Sequence, residues 1–394
     1  MNARPLSGIT VVTLEHAIAA PFCTRQLADL GARVIKVERP GSGDFARAYD
    51  HRTHGLASHF VWTNRSKESL TLDLKQSQAQ AVLGELIAQA DVLVQNLAPG
   101  AASRMGLSFE VLSQKYPRLV VCDISGYGGD GPYREKKAYD LLIQSEAAFL
   151  SVTGTPDEPS KAGNSIADIA AGMYAYSGVL SALLQRHRTG RGSHVEVSML
   201  EALTEWMGFP MYYAYEGQTP PTRNGASHAT IYPYGPFEAG DGRVVMLGLQ
   251  NEREWKLFCD EVLRQPGLAS DPRFDANVRR TENRTELRRL IVATFSAMTA
   301  VEVVARLDGA QIANAAVNQV ADLWSHPQLH ARGRFTTIDS PAGPLRALLP
   351  PVTSNDYDCR MDPVPALGEH SEAILRELGR TDADIATLRQ AGVV

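Results

Sequence analysis

The chain has 394 residues, of which 44% are hydrophobic and 21% charged, an ordinary composition for a globular protein of about two domains. Its 39 lysines and arginines are outnumbered by 44 aspartates and glutamates, which argues against a nucleic-acid-binding protein with a basic face. The cysteines are far apart, so neither a metal centre nor a disulfide framework is predicted. The N-terminal residues lack an apolar signal core, and no segment approaches the roughly 18 apolar residues of a membrane span, so we expect a cytoplasmic protein.

The first part of the chain alternates predicted strands and helices. Apolar, β-rich runs predict strands at residues 9–14, 34–37, 70–74, 92–95 and 118–125. Helical spacing predicts helices between them at residues 21–30, 77–90 and 111–115. The polar segment from Gly41 to Arg65 is predicted to be a long loop. This alternation is typical of an α/β fold.

The helix that begins after Gly163 is the most clearly delimited one. Its apolar residues recur at steps of three and four, which predicts one buried face formed by Ile166, Ile169, Met173, Tyr176, Leu180, Leu183 and Leu184. Ser165 followed by Asp168 fits a capping box, and Gly190 fits the helix end. Asp168 therefore has two interpretations. It either caps the helix or, as a carboxylate kept ionised by the helix dipole, acts as a nucleophile.

The second half of the chain predicts a domain boundary. A strand at 194–198 and a helix at 199–207 precede residues 208–225, which are rich in proline, tyrosine and glycine and predict a linker. Residues 226–330 predict a small α+β domain that opens with a hairpin at about 232–247. Residues 331–339 would return the chain to a large domain made of residues 1–207 and 340–394, which ends with a helix at about 371–378.

The turn from Gly126 to Pro132 has the spacing G-x-G-x-x-G, but it does not fit a dinucleotide site. Pro132 and the charged residues 134–137 stand where a phosphate-binding helix should begin. The turn after the first strand, residues 15–20, also lacks the glycines that a pyrophosphate needs. We therefore expect the turn at Gly126 to shape the rim of a pocket.

Short motifs are spread over the whole chain: Ala20-Pro21, Leu27 to Pro40, Asn64-Arg65-x-Lys67, Leu72-Asp73-Leu74-Lys75, Asn96-x-x-Pro99-Gly100, Arg104-Met105-Gly106, Gly190-Arg191-Gly192 and Leu367-Gly368-Glu369-His370. Their order resembles that of the class III CoA-transferase family, which includes formyl-CoA transferase and carnitine CoA-transferase. The resemblance implies a large doubly wound, Rossmann-like CoA-binding domain and a smaller α+β domain. It also implies a ring-shaped chain that interlocks with a second copy in a homodimer.

The resemblance further implies the site residues. Asp168 matches the family's nucleophilic aspartate, which favours the nucleophile interpretation over the cap. The positions that match CoA-binding residues are Arg39, Leu72, Lys75, Asn96, Leu97, Arg104, Lys137 and Tyr139. His16, Ile18 and Arg47 would lie at the acceptor, where Arg47 or a histidine could pair with a distal carboxylate. Racemases of the same fold carry a histidine where this chain has Tyr139, and a phenol is a poor base at neutral pH.

The implied activity is transfer of CoA from an acyl-CoA, with succinyl-CoA as the expected donor, through an aspartyl-CoA thioester. The amino-acid sequence of residues 44–65 most resembles that of family members that accept itaconate, citramalate or mesaconate. A 2-methylacyl-CoA racemase is the alternative, and a non-catalytic CoA-binding protein is a third interpretation. The CoA thioester would be a substrate and not a permanently bound cofactor. We expect the protein to bind no metal, no nucleic acid and no membrane. Residues 225–229 could supply oxyanion donors, although they depart from the polyglycine loop of formyl-CoA transferase.

Overall fold

The computed structural model describes residues 3–394, which form two compact units. The first unit runs up to Ala147, from Ala162 to Met207 and from His330 to Val394. The second contains Ala148–Lys161 and Gly208–Leu329. Residues 148–161 were not assigned to a small domain by the sequence, and the predicted linker 208–225 begins with a helix, Gly208–Tyr213. That these units are separate domains stays a prediction.

A six-stranded parallel sheet forms the centre of the first unit. Its strands are β1 (Thr10–Leu14), β2 (Arg33–Glu38), β3 (Glu68–Thr71), β4 (Val92–Gln95), β5 (Val120–Ser125) and β6 (His194–Ser198). Their order is β3-β2-β1-β4-β5-β6, with every neighbouring pair parallel. In this doubly wound order a crevice opens between the carboxyl ends of β1 and β4. The predicted α/β fold is confirmed.

The helices of the chain are α1 (Ala19–Asp29), α2 (Ser58–Asn64), α3 (Ser77–Gln89), α4 (Ala101–Arg104), α5 (Phe109–Lys115), α6 (Asp140–Glu146), α7 (Phe149–Val152), α8 (Ile166–Thr189), α9 (Met199–Trp206), α10 (Gly208–Tyr213), α11 (Glu252–Leu257), α12 (Asn277–Glu282), α13 (Arg284–Phe295), α14 (Ala300–Gly309), α15 (Pro327–Ala331), α16 (Ser371–Glu377) and α17 (Asp382–Gln390). The predicted loop 41–65 is wrong in part, because it contains α2 and a 3-10 helix at Phe45–Ala48. Asp44 starts that 3-10 helix by accepting a hydrogen bond from the Ala46 N–H.

The second unit is built on a three-stranded antiparallel sheet. The predicted hairpin is formed by β7 (Tyr234–Glu238) and β8 (Val244–Gly248), and β9 (Ala313–Ala316) pairs with β8. Apolar residues of α11, α13 and α14 and of the π-helical turn Phe258–Val262 pack with this sheet into a separate core. The alanine-rich β9 was not predicted, because Ala313–Ala316 lacks the β-branched and aromatic residues that mark a strand.

The C-terminal segment returns to the first unit. It first forms an antiparallel pair of β10 (Phe335–Ile338) and β11 (Leu345–Leu348). The Gly368 N–H then donates to Ser69 Oγ at 2.8 Å, and the Thr71 N–H donates to Ser371 Oγ at 3.0 Å. The motif around Gly368 therefore attaches the end of the chain to β3.

Small residues, and not the predicted large ones, form the buried face of α8. The buried residues are Ala167, Ala170, Ala171, Gly172, Ala175, Val179, Ala182 and Arg186. Met173 and Leu184, which the periodicity placed in the core, are 38% and 68% exposed. The prediction failed because close contact with α1 selects small side chains: a Cβ on Gly172 would lie 2.7 Å from the Ala19 carbonyl oxygen.

Among the described residues, α8 is also the one single helix whose length and apolar composition would let it cross a bilayer. A bent pair, α13 and α14, meets the same criterion only when taken together across a 107° angle. Core helices of globular proteins share these properties, and α8 packs on α1 and β6 through its glycines.

We predict that Gly172→Ala lowers the free energy of unfolding by about 1 to 3 kcal/mol, because α8 must move away from α1. Urea denaturation would measure the change. Gly84→Ala in α3 is the matched control, since nothing lies within 4 Å of the added Cβ. Because alanine favours a helix more than glycine does, Gly84→Ala should raise the free energy of unfolding by about 0.5 to 1 kcal/mol. Equal effects at both positions would contradict the close packing described for α8.

Candidate active site

Most residues predicted to bind CoA follow the carboxyl ends of parallel strands. Arg39 follows β2, Leu72 and Lys75 follow β3, and Asn96 and Leu97 follow β4. Because the strands are parallel, these ends lie along one edge of the sheet, with the crevice between β1 and β4 near the centre. This edge is where ligands bind in open α/β sheets.

The loop between β1 and α1 is fixed from two sides. Asn96 accepts from the His16 N–H and donates to the His16 carbonyl oxygen, both at 2.9 Å. Ala17 has a left-handed φ of 62°, which is uncommon for a residue other than glycine. Its N–H donates to Asp44 Oδ1 at 3.1 Å. Asn96 thus uses both ends of its amide to hold this loop, and its predicted CoA contact stays a prediction.

A buried charge cluster lies beneath this loop; it consists of Glu15, Lys36, Glu38, Asp44, Arg47 and Lys67. Lys67 Nζ donates to Glu15 Oε1 at 2.6 Å, and Lys36 Nζ donates to Asp44 Oδ2 at 2.7 Å. Although burial acts in the opposite direction, the charges of Lys67 and Lys36 lower the pKa of Glu15 to about 2. Burial lowers the pKa of Lys67 to about 8. Glu15 is therefore a structural residue within the protein, not a ligand of the crevice.

The geometry gives Arg47 a structural role, and its predicted substrate contact stays a prediction. Its guanidinium forms two hydrogen bonds to the Glu38 carboxylate, at 2.7 and 2.8 Å, and lies over the Phe60 ring at 3.7 Å. Ile18 is 4% exposed, and its predicted place at the acceptor stays a prediction. His16 keeps a partly exposed ring, which stacks on Phe45 with 5.2 Å between centroids.

Asp140, and not Ser165, caps the N-terminus of α8. Asp140 Oδ1 accepts from the N–H groups of Ala167 and Asp168 at 2.8 and 3.3 Å, while Ser165 makes no side-chain capping bond. The predicted capping box is therefore wrong. Gly126 allows this arrangement, because a Cβ there would lie 2.2 Å from the Ala138 Cβ, two residues before Asp140.

The Asp168 carboxylate is thereby released from capping and lies at the start of α1. It accepts a hydrogen bond from the backbone N–H of Ala19, the first residue of that helix. Burial, together with the negative charge of Asp140, raises the pKa of Asp168 to about 7, against the effect of the Ala19 hydrogen bond. The prediction that a helix dipole simply keeps this carboxylate ionised is wrong, because burial dominates.

An aromatic side chain, Tyr49, lies near this carboxylate. Tyr49 is close enough to Asp168 and Tyr139 for their charges to add to the effect of burial, which raises the pKa of Tyr49 to about 12. The Tyr49 ring contacts Phe45 on one side and the edge of His59 on the other, at centroid distances of 5.8 and 5.5 Å. A thioester beside Asp168 would therefore lie against an aromatic surface.

All four basic residues predicted to bind CoA have exposed side chains, as phosphate binding requires: Arg39, Lys75, Arg104 and Lys137. Leu72 is different, because its side chain is 2% exposed and belongs to the core. Leu97 is partly buried against the same core, and Tyr139 is 69% exposed. The CoA contact predicted for Leu72 stays a prediction.

The turn that begins at Gly126 does not present its N–H groups to a phosphate. The Gly129 N–H donates to the Glu196 carboxylate from β6, and the Gly128 N–H donates to Ser125 Oγ. A carboxylate thus occupies the position that a dinucleotide phosphate would need. The expectation that this is not a dinucleotide site agrees with the geometry.

Sequence reasoning missed Asp140, Asp44 and Tyr49. Asp140 directly follows the candidate Tyr139 and opens α6, which is a signal that could have been used. The other two lie in the segment predicted to be a loop, and no periodicity marks them.

Comparisons with known proteins now decide the family. A model of CoA-transferase family III matches residues 6–371. The chain belongs to CoA-transferase family III. The mouse protein succinyl-CoA:glutarate CoA-transferase is 32% identical over 398 residues, covering all of this chain and 91% of the relative. Succinyl-CoA:mesaconate CoA-transferase of Haloarcula hispanica is 31% identical and covers 95% of this chain and 96% of the relative.

The fold gives the same family relationship. The crystal structure of a CAIB/BAIF family protein from Brucella suis superposes with a TM-score of 0.84 at 33% identity. That match covers 96% of this chain and all of the solved chain. The protein is thus a family III CoA-transferase, whose substrates are CoA thioesters.

We predict that Asp168→Asn makes the protein more stable at pH 8 but not at pH 4. The unfolded chain releases this proton near pH 4 and the folded chain near pH 7, so wild-type stability falls across that window as pH rises. The variant, which cannot ionise, should gain about 1 to 3 kcal/mol above pH 7. Urea midpoints at pH 4, 6 and 8 would measure this. An advantage that does not grow with pH would contradict the raised pKa.

Proposed function

We propose that this family III CoA-transferase moves CoA from succinyl-CoA to a short dicarboxylic acid, with the Asp168 carboxylate as nucleophile. One observation carries the proposal: Asp168 lies at the N-terminus of a core helix without capping it, because Asp140 provides the cap. A carboxylate with no structural partner except one backbone N–H is available for chemistry.

The surroundings of Asp168 suit a nucleophile. Its pKa of about 7 leaves a substantial fraction ionised at neutral pH. A carboxylate destabilised by burial is also more basic, and therefore more nucleophilic, than one exposed to water. Partial exposure of the side chain leaves a route for a thioester to reach it.

The proposed reaction balances without a metal or a proton donor. An Asp168 oxygen attacks the thioester carbonyl of succinyl-CoA, the C–S bond breaks, and a mixed anhydride and CoA thiolate result. The thiolate attacks the Asp168 carbonyl carbon and releases succinate, which leaves an aspartyl-CoA thioester. The acceptor carboxylate then attacks this thioester, and the same two steps run in reverse.

Each addition forms an oxyanion that needs nearby donors. The N-terminus of α1 is a source of such donors, since the Ala19 N–H already reaches Asp168 and the helix dipole favours negative charge there. The part predicted for residues 225–229 stays a prediction. His228 of that segment orders the backbone that follows it, since its Nδ1 accepts from the N–H groups of Thr230 and Ile231.

A dicarboxylate acceptor is supported by the relatives, whose names specify glutarate and mesaconate with succinyl-CoA. Itaconate and citramalate are acids of the same size and charge and remain in the proposal. Arg47 is paired with Glu38, which makes a histidine the favoured partner of the distal carboxylate. His16 and His59, at the two ends of the aromatic row Phe45–Tyr49, are the candidates.

The test is a mass-spectrometric assay with succinyl-CoA and separate acids: glutarate, mesaconate, itaconate, citramalate, oxalate and carnitine. We expect a new acyl-CoA with at least one dicarboxylate for the wild type and a loss of more than about a thousandfold for Asp168→Ala. Asp384→Ala is the matched control, because Asp384 is also the third residue of its helix, α17, yet caps that helix. Transfer that survives Asp168→Ala would refute the proposal.

The racemase alternative is tested with the same protein in a separate incubation. A 2-methylacyl-CoA incubated in deuterium oxide would gain deuterium at its α-carbon if the protein were a racemase. The relatives reported above are named as transferases, and Tyr139 replaces the second base, so we expect no exchange.

We also propose a homodimer of interlocked rings and a cytoplasmic location, both from the family resemblance and the sequence. The exposed Met173, Tyr174 and Leu184 of α8 support the dimer, since a second copy would cover them. Light scattering should give twice the mass of 42.8 kDa. A monomer at micromolar concentration would contradict this proposal.

A further inference from the structure

Asp140 stands out because its carboxylate lies beside that of Asp168 and is held from both sides. Its Oδ1 caps α8, and its Oδ2 accepts from Gln144 Nε2 at 2.6 Å. Gln144 is fully buried, and its Oε1 accepts from the Ala162 N–H at 2.9 Å. A chain of hydrogen bonds therefore fixes Asp140 between the backbone before α8 and its first turn.

The choice of a carboxylate at this position is unexpected. Helices α9 and α11 are capped by neutral side chains, Ser198 and Asn251, and an asparagine at position 140 would also offer an oxygen to the N–H groups of α8. An aspartate instead places a second negative charge next to the nucleophile. Two carboxylates in one partly buried place disfavour the state in which both are ionised.

Of the other charged side chains on the elements that pack on α8, Glu205 of α9 is exposed to solvent, and the rest are paired elsewhere. These pairs are Arg25 of α1 with Asp29, Asp123 of β5 with His194, Glu146 of α6 with Lys136, Glu196 of β6 with Gly129, and Glu201 of α9 with Ser198. Tyr49 also faces Asp168, as a neutral phenol. Asp140 is thus the charge that acts on the nucleophile.

We propose that Asp140 is a positioning residue whose negative charge favours the acylated, neutral form of Asp168 over its free carboxylate. This rests on the proposed function. When Asp168 becomes an anhydride, its negative charge leaves with the CoA thiolate, and when the thiolate then forms the aspartyl-CoA thioester, the charge leaves with succinate; in both forms the repulsion from Asp140 is absent. Asp140 thereby shifts the equilibrium of the enzyme with succinyl-CoA toward the covalent intermediate while it keeps the α8 cap.

The test uses Asp140→Asn, which keeps an oxygen for the cap and removes the charge. At pH 8, with fixed succinyl-CoA and succinate, intact-protein mass spectrometry would measure the fraction that carries the mass of the aspartyl-CoA thioester. We expect the ratio of covalent to free enzyme to fall about tenfold. The acid limb of kcat/KM, set by ionisation of Asp168, should move about one pH unit lower.

Control variants separate charge from structure. Asp140→Glu restores the charge and should return both values toward the wild type, whereas Asp140→Ser, a second neutral cap, should behave like Asp140→Asn. Asp384→Asn removes a capping charge from α17 and should change neither value. If the folded neutral variants keep the wild-type ratio and acid limb while Asp168→Ala is inactive, Asp140 is only a cap and this inference fails alone. Transfer by Asp168→Ala would instead refute the proposed function.

Discussion

The pairing of buried charges beneath the β1–α1 loop is the constraint on which the candidate site depends. Glu15, Glu38 and Asp44 are balanced by Lys36, Arg47 and Lys67, so the buried charge cluster is neutral. Placing ions in the interior is costly, and removing one partner of a buried pair costs about 3 to 5 kcal/mol. Such a cluster tolerates few arrangements, and one of its members, Asp44, bonds the strained Ala17 backbone. The cluster therefore fixes the direction in which α1 begins.

The second constraint is the close approach of α8 to α1. Gly172 allows the contact at Ala19, and Asp168 lies one helical turn before Gly172, so the same packing brings the carboxylate to the first N–H of α1. Asp140 opens α6 beside them. Two carboxylates are thus surrounded by the beginnings of three helices, whose free N–H groups favour negative charge. The arrangement suits a reaction in which charge leaves a carboxylate and develops on a tetrahedral oxygen.

Strands and the family could be predicted from the sequence, whereas the chemistry of the site could not. The strand at 92–95 was placed correctly because burial in a parallel sheet dictates an apolar run, and the strand at 194–198 because its residues alternate. The burial of α8 was predicted wrongly, since periodicity assigns large residues to the core and cannot detect a close glycine contact. The capping box failed because Asp140 lies 28 residues before Asp168, at a distance that no local pattern spans. The pairing of Arg47 with Glu38 could not be predicted, because it forms only when the loop is folded.

A raised pKa at Asp168 does not by itself distinguish transfer from racemisation, because a basic carboxylate could attack a carbonyl or remove an α-proton. The distinction lies in what surrounds it. Racemisation needs a second base on the opposite face of the α-carbon, and Tyr139 and Tyr49 offer phenols, a type of side chain that is a poor base at neutral pH. Transfer needs only that the free and acylated carboxylate differ little in free energy, so that the thioester passes in both directions. Burial and Asp140 both destabilise the free carboxylate, while the N-terminus of α1 stabilises it. Opposing effects of this kind bring the two states close together, which is the condition for reversible exchange of CoA between similar acids.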